Sequence, residues 1–279
     1  MSTLGPLPRP ALVAHRGFSA AHPEMTLAAY RAAIAWARES GVTLGLECDV
    51  HFSADDQLIC LHDLDLDRTS GATGPAFGRT VAELKRVDFG ARRRRPTTPD
   101  ERTLVTLIEL LDLVAEARAD GVDVHAVIES KHPNPRGLEV EQRVADLLRE
   151  RGWDGPDSPC RVISFSVPGV LRFAELLPDV ERTFLIEKSF GGWADGSLPE
   201  GVGVVGPSLA LIRQDPAYVV RAHARGHQVH AWTVNSPADV AFCLELGVTE
   251  LTTDVPDLVD SVLRQGQDGP SAAPTGQDA

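Results

Sequence analysis

Short apolar runs rich in branched residues, each bounded by turn signals, alternate along the chain with longer stretches of helical periodicity. Nine such runs occupy residues 11–15, 44–50, 58–62, 125–130, 162–165, 183–187, 202–205, 229–234 and 251–254. Helical stretches at 26–40, 106–118, 138–151, 168–177, 216–225, 237–246 and 256–263 fill most of the gaps. Strand and helix in alternation predict a parallel sheet joined by crossover helices. One gap breaks the rule. Only seven residues, 51–57, separate the second run from the third, whereas a parallel crossover needs about a dozen or more. The third run is therefore expected to fold back on the second as an antiparallel hairpin. Eight strands remain, and eight strands each followed by a helix make a closed (β/α)8 TIM barrel, here with a small hairpin insertion after the second strand. Pro168, Pro237 and Pro256 open three of the helices, where a missing N–H costs nothing.

The domain plan follows. Residues 1–10 form an N-terminal extension and 11–264 the barrel, while 265–279, poor in apolar residues, form a disordered tail. Two stretches elaborate the barrel: 69–103, with a short helical piece near 81–87, and the Gly-rich 189–201.

Charge narrows the class of ligand. The 279 residues carry 27 Lys and Arg against 40 Asp and Glu, a net −13, which repels nucleic acid and anionic membranes at long range. A small molecule is the expected substrate, and any anion must be met by locally placed cations. No apolar run approaches the ~18 residues of a membrane span, and the first ten residues lack the pattern of a secretory signal. The expectation is a cytoplasmic protein without stable membrane insertion. Cys48, Cys60, Cys160 and Cys243 are scattered without a Cys-x-x-Cys pair, so they read as buried free thiols rather than a zinc or disulfide framework. Neither a Walker-type phosphate loop nor a Gly-x-Ser-x-Gly elbow occurs, which argues against nucleotide hydrolysis and a serine esterase.

In a parallel barrel the active site lies at the carboxyl ends of the strands, so polar groups that end apolar runs carry most weight. Glu47 and Asp49, two apart on a strand, project to one face. Two carboxylates on one inward face repel unless a cation or shared proton relieves them. A hard divalent ion is the simplest relief, with Glu129, at the end of the next barrel strand, as a third oxygen ligand. The plainer alternative is a pair of structural carboxylates bonded to backbone or arginine. Lys131 shares a face with Glu129, where a salt bridge between neighbours would also explain it. His15 and His62 end the first strand and the hairpin return, and two imidazoles at one mouth can divide the work of general base and general acid. Arg16 offers a forked donor suited to phosphate, or else a rim salt bridge. Trp232 ends the seventh barrel strand. The other histidines are read as structural or solvated, and the basic run 92–95 as a solvated loop.

The ordered series His15-Arg16-Gly17, Pro23-Glu24-Met25-Thr26, Glu47-Cys48-Asp49, His62-Asp63, Glu129-Ser130-Lys131, Trp232-Thr233-Val234-Asn235 and Thr253-Asp254-Val255-Pro256 resembles the glycerophosphodiester phosphodiesterase family over about residues 11–263. Order and spacing, more than any one tripeptide, carry the likeness. It implies a barrel that uses a divalent cation, Mg²⁺ or Ca²⁺, to hydrolyse small-molecule glycerophosphodiesters to an alcohol and sn-glycerol 3-phosphate. It further implies that Glu47, Asp49 and Glu129 hold the metal and that His15 and His62 are the acid and base. Arg16 and Lys131 would contact the phosphate, and Trp232 would lie near the glycerol. No oligomeric state is implied. One departure stands out: Met25 replaces an asparagine usual in Pro-Glu-Asn-Thr, removing a polar side chain just after the first strand. Two alternatives fit the same mouth, a lysophospholipase D-type enzyme acting on lysophospholipids and a non-catalytic glycerophosphodiester-binding module.

Overall fold

A computed structural model describes residues 9–267. Its strands are β1 (Ala11–Ala14), β2 (Leu44–Phe52), β3 (Leu58–Cys60), β4 (Val124–Ser130), β5 (Cys160–Ser164), β6 (Arg182–Ile186), β7 (Val204–Pro207), β8 (Gln228–Ala231) and β9 (Glu250–Thr253). The larger helices are α1 (Leu27–Ser40), α4 (Leu107–Ala119), α5 (Glu139–Glu150), α6 (Val167–Leu176), α7 (Leu209–Gln214), α8 (Ala217–Ala224), α9 (Pro237–Leu246) and α10 (Pro256–Gln267); the one-turn helices α2 (Val81–Leu84) and α3 (Pro99–Arg102) lie in the insertion.

Eight parallel strands pair in the order β1, β9, β8, β7, β6, β5, β4, β2, and β2 closes back on β1 through Leu12↔Leu44 and Ala14↔Leu46. The barrel is as expected. So is the hairpin, in which β3 runs antiparallel to the end of β2 with Val50↔Cys60 and Phe52↔Leu58 in register. Helix starts follow local chemistry: Thr26, Thr106, Ser166, Ser208 and Ser236 each accept a bond from the first turn, and Thr106 with Glu109 forms a capping box.

Alternation divides the strand side chains. Outward residues such as Leu44, Leu46, Val124 and Val162 join the helices in the main core, while Val13, Val127, Ile163 and Leu185 form an apolar layer inside the barrel. Glycines make that inner layer possible. A Cβ at Gly206 would come within 2.4 Å of Leu185, and one at Gly45 within 2.9 Å of Val13.

The insertion after β3 packs on its own small core of Ile59, Leu61, Leu66, Ala76, Leu84, Phe89 and Leu104, so it is a fixed part of the fold. All four cysteines are free and buried. Among the described residues no helix is long and apolar enough to cross a membrane. Three details differ from the sequence reading. Helix α7, six residues capped by Ser208, was too short to show a period. Strand β8 ends at Ala231, placing Trp232 one residue beyond it, where the chain bridges to Ser208. Helix α10 runs to Gln267, so residues 265–267 of the expected tail are helical; the rest of that tail and most of the extension 1–10 lie outside the described residues.

Candidate active site

The site begins where β1 stops. Arg16 and Gly17 both have positive φ, +58° and +78°, a conformation that disfavours a residue with a side chain. At Gly17 no side chain could replace the hydrogen, because a Cβ would lie 2.8 Å from the Ala29 backbone. This sharp turn aims Arg16 into the mouth. Its backbone N–H donates to Glu47 Oε2 at 2.8 Å, its Nη1 donates to Glu24 Oε1 at 2.9 Å, and its Nε lies 3.3 Å from Asp49 Oδ2. Burial works against the guanidinium charge, but Asp49, Glu47 and Glu24 outweigh it and hold Arg16 firmly protonated.

Glu47 (3 % exposed), Asp49 (1 %) and Glu129 (6 %) converge from neighbouring strands, with Asp49 and Glu129 in register across β2 and β4. Each presents a carboxylate oxygen within 4.8 Å of the others. Lys131 Nζ lies 2.8 Å from Glu129 Oε1 and 3.2 Å from Asp49 Oδ1. Even so, Asp49 Oδ2 and Glu129 Oε1 accept no well-aligned hydrogen bond. Three carboxylates thus face two permanent cations, and the shortfall appears in their acidities. Burial and the Asp49 charge push Glu47 well above the usual carboxylate range and Glu129 up to about 8. Asp49 itself is held low: burial opposes its charge, but Lys131 and Arg16 outweigh burial.

The two histidines sit in matching environments. His15 Nδ1 meets Asp254 Oδ1 at 2.7 Å, and Asp254 also accepts from Ser19 Oγ at 2.9 Å and Asn235 Nδ2 at 2.6 Å. His62 Nδ1 meets Asp63 Oδ1 at 2.6 Å. With Nδ1 engaged on each ring, Nε2 is the nitrogen left for chemistry. Burial, reinforced by Arg16 and Lys131 against the pull of Asp49, lowers the His62 pKa.

His15, Arg16, Glu47, Glu129, Lys131, His62 and Trp232 all line one cleft of about 400 Å³. The eight residues singled out in the sequence are therefore gathered at one mouth, with Asp49 buried directly behind the lining. Part of the wall is apolar: Trp232 donates from Nε1 to the Gly206 carbonyl at 2.7 Å and packs edge-on against Phe165, their ring centres 5.4 Å apart, with Lys131 Nζ 5.8 Å from the Phe165 ring centre.

The sequence reading passed over several residues here. Phe165 and Glu187, at the ends of the fourth and fifth barrel runs, line the cleft, as do His132 and His230. The position of Phe165 and Glu187 at run ends was the usable signal. Arg68 gave none, because it lies in the insertion. Met25 also reads differently in three dimensions: it is buried, with φ +55°. Asparagine tolerates that left-handed conformation better than most residues, so backbone shape alone accounts for a preference for Asn there. The basic run is only partly solvated, since Arg93 donates to the Ser19 carbonyl and Arg95 to Glu101.

A family model described as the glycerophosphoryl diester phosphodiesterase family matches residues 15–258. The chain is 35% identical over 265 residues to a Mycobacterium tuberculosis protein named probable glycerophosphodiester phosphodiesterase 1, covering 92% of this chain and 94% of that one. It is 30% identical over 264 residues to a Bacillus subtilis glycerophosphodiester phosphodiesterase, covering 90% and 85%. Among solved structures, an Oleispira antarctica phosphodiesterase in complex with the product sn-glycerol-3-phosphate superposes with a TM-score of 0.72 at 22% identity, over 91% of this chain and 97% of that chain. A glycerophosphodiester phosphodiesterase from Parabacteroides distasonis gives 0.72 at 20% identity, over 93% and 98%. At such identities the structures support the fold alone.

Proposed function

The chain belongs to the glycerophosphoryl diester phosphodiesterase family, a family of hydrolases, and from that premise we propose that its cleft hydrolyses glycerophosphodiesters to an alcohol and sn-glycerol 3-phosphate with His15 and His62 as acid and base. The observation that carries this reading is the pairing of two features in one cleft: two imidazoles on carboxylate partners, and three buried carboxylates short of positive charge.

The carboxylate group fits a divalent cation. Two of its buried oxygens lack an aligned donor and its acids outnumber the adjacent cations, a donor set of hard oxygens suited to Mg²⁺ or Ca²⁺. Glu47, Asp49 and Glu129 would hold the ion. When bound, it would supply Lewis-acid polarisation of a phosphoryl oxygen.

The protein's own groups do the rest. Arg16 and Lys131, both firmly cationic and part-buried, bind the phosphate and stabilise the charge that grows on it in the transition state. One histidine takes a proton at Nε2 from the nucleophile, either water or the glycerol 2-hydroxyl with water then opening the cyclic phosphate, and the other delivers one to the departing alkoxide. Asp254 and Asp63 hold the two rings at Nδ1 and so fix their orientation. The apolar wall of Phe165 and Trp232 shields the organic part of the substrate from water, with Trp232 beside the glycerol.

Release of glycerol 3-phosphate from glycerophosphocholine and glycerophosphoethanolamine is the direct test, with Mg²⁺ or Ca²⁺ and then with EDTA. Ion-dependent release is expected. No release with any ion would overturn the reading, and choline released only from lysophosphatidylcholine would replace it with a lysophospholipase D activity.

A further inference from the structure

Behind the groups that would touch substrate, one arginine of the insertion joins two halves of the site. Arg68 donates from Nε to Asp63 Oδ2 at 2.6 Å and grips Glu24 with both terminal nitrogens, Nη1 to Oε2 at 2.8 Å and Nη2 to Oε1 at 2.7 Å. Asp63 carries His62 on its other oxygen, at 2.6 Å. Glu24 Oε1 also accepts from Arg16 at 2.9 Å. The result is an unbroken chain of hydrogen-bonded partners, His62, Asp63, Arg68, Glu24, Arg16, drawn from the end of the hairpin, the insertion and the turn after β1.

We propose that Arg68 is a positioning residue, which sets the placement of His62 relative to Arg16 by clamping the carboxylate partner of each. The inference rests on the function proposed above, which gives His62 and Arg16 their roles. Three observations support it. The fork is used in full: a planar guanidinium meeting one carboxylate end-on through both terminal nitrogens fixes angle as well as distance, which a lysine cannot do. The backbone beneath it is anchored, since Leu66 and Ser70 on either side are fully buried and Ser70 Oγ donates to the Leu66 carbonyl at 2.8 Å. The two histidines also differ in their support. Asp254, behind His15, is held by the neutral donors Ser19 and Asn235, whereas Asp63 depends on Arg68. Without Arg68, Asp63 would keep only His62 and Glu24 only Arg16, so nothing would tie the two part-exposed carboxylates together.

Arg68→Ala, Arg68→Lys and the control Arg79→Ala, an insertion arginine whose guanidinium, among the described residues, bonds only the Thr73 carbonyl, test this. With glycerophosphocholine, Arg68→Ala should lower kcat roughly 10- to 100-fold and KM far less, as expected when transition-state alignment rather than binding is lost. Arg68→Lys should recover part of that loss, and Arg79→Ala should match the parent. Combined with Asp63→Asn, the loss should fall well short of the product of the two single losses, while combined with Asp254→Asn it should multiply. A downfield Nδ1 proton of His62, protected from exchange by Asp63, should be visible by NMR in the parent and broadened in Arg68→Ala, whether or not any diester is turned over. An unchanged His62 signal, or a kcat within twofold of the parent, would overturn the inference. A parent chain inactive on every diester but showing the expected NMR change would overturn the proposed function and leave the clamp standing.

Discussion

Two groups of buried charge share the interior of this barrel beside the apolar cluster of Val13, Val127, Ile163 and Leu185, and His230 of the lower group also reaches the cleft. At the floor, Glu250 accepts from Arg161 at 2.5 Å and lies 3.4 Å from His230, which meets Thr252 at 2.5 Å, while Arg161 reaches out to Glu181 at 3.0 Å. His125 beside them is driven down to about 4 by burial and by Arg161, so it stays neutral. The one buried carboxylate thus has a guanidinium beside it, shared only with the exposed Glu181, and burial opposes but does not overcome the pull of His230 and Arg161 that keeps Glu250 low. At the mouth the sum fails: three carboxylates share two cations, and Glu129 and Glu47 are forced upward. Both groups contain buried atoms without aligned partners, but at the floor these are imidazole nitrogens, which can stay neutral, and at the mouth they include carboxylate oxygens. A balanced cluster holds structure together. An unbalanced one can take up the charge of a ligand, which under the proposed function makes the mouth the working end.

That contrast can be broken most severely at the histidines. His15→Ala or His62→Ala should cost about 10²- to 10⁴-fold in turnover, with circular dichroism and Tm close to the parent. Near-normal activity in either variant would remove it from the mechanism. Next, the two clusters should respond oppositely to neutralising one acid. Glu129→Gln should abolish most ion-dependent activity while leaving the ion-free protein at least as stable as the parent, because near neutral pH the fold already holds this carboxyl largely protonated and the amide keeps it neutral. Glu250→Gln should leave kcat largely intact but lower stability by about 1–3 kcal/mol, since it strips a buried partner from Arg161, which keeps Glu181 and some water. Denaturant midpoints and kcat measured on both variants decide this, and equal loss of stability in the two would dissolve the distinction.

The smallest effect is one of pH. In the fold Glu129 is raised from 4.5 to about 8, so the folded state holds a proton that the unfolded chain releases. Its contribution to stability is complete below about 4.5 and is lost as pH rises through about 8. In EDTA, Tm should therefore decline between pH 6 and pH 8.5. Added Mg²⁺ or Ca²⁺ should raise Tm more at the upper end, where the ion no longer has a proton to displace. An ion-induced shift that is the same at both ends would argue against binding at these carboxylates.

Much of this architecture is local and so could be read from the chain. Strand count follows from short apolar runs, the hairpin from a seven-residue gap too short for a crossover, and the common face of Glu47 and Asp49 from the two-residue period of a strand. Ligand-like residues at run ends were visible for the same reason. What the one-dimensional pattern does not carry is partnership across the closed sheet. His15 and Asp254 stand 239 residues apart and meet only because β1 pairs with β9. His125 and His230, read as ordinary structural or solvated histidines, turn out to face Glu250 and Arg161 across the barrel floor. Arg68 sits in a loop without periodicity, and its value comes from carboxylates on two other segments. Periodicity reports which way a side chain faces, and only closure of the barrel decides what it faces, because charge balance is a property of neighbours in space.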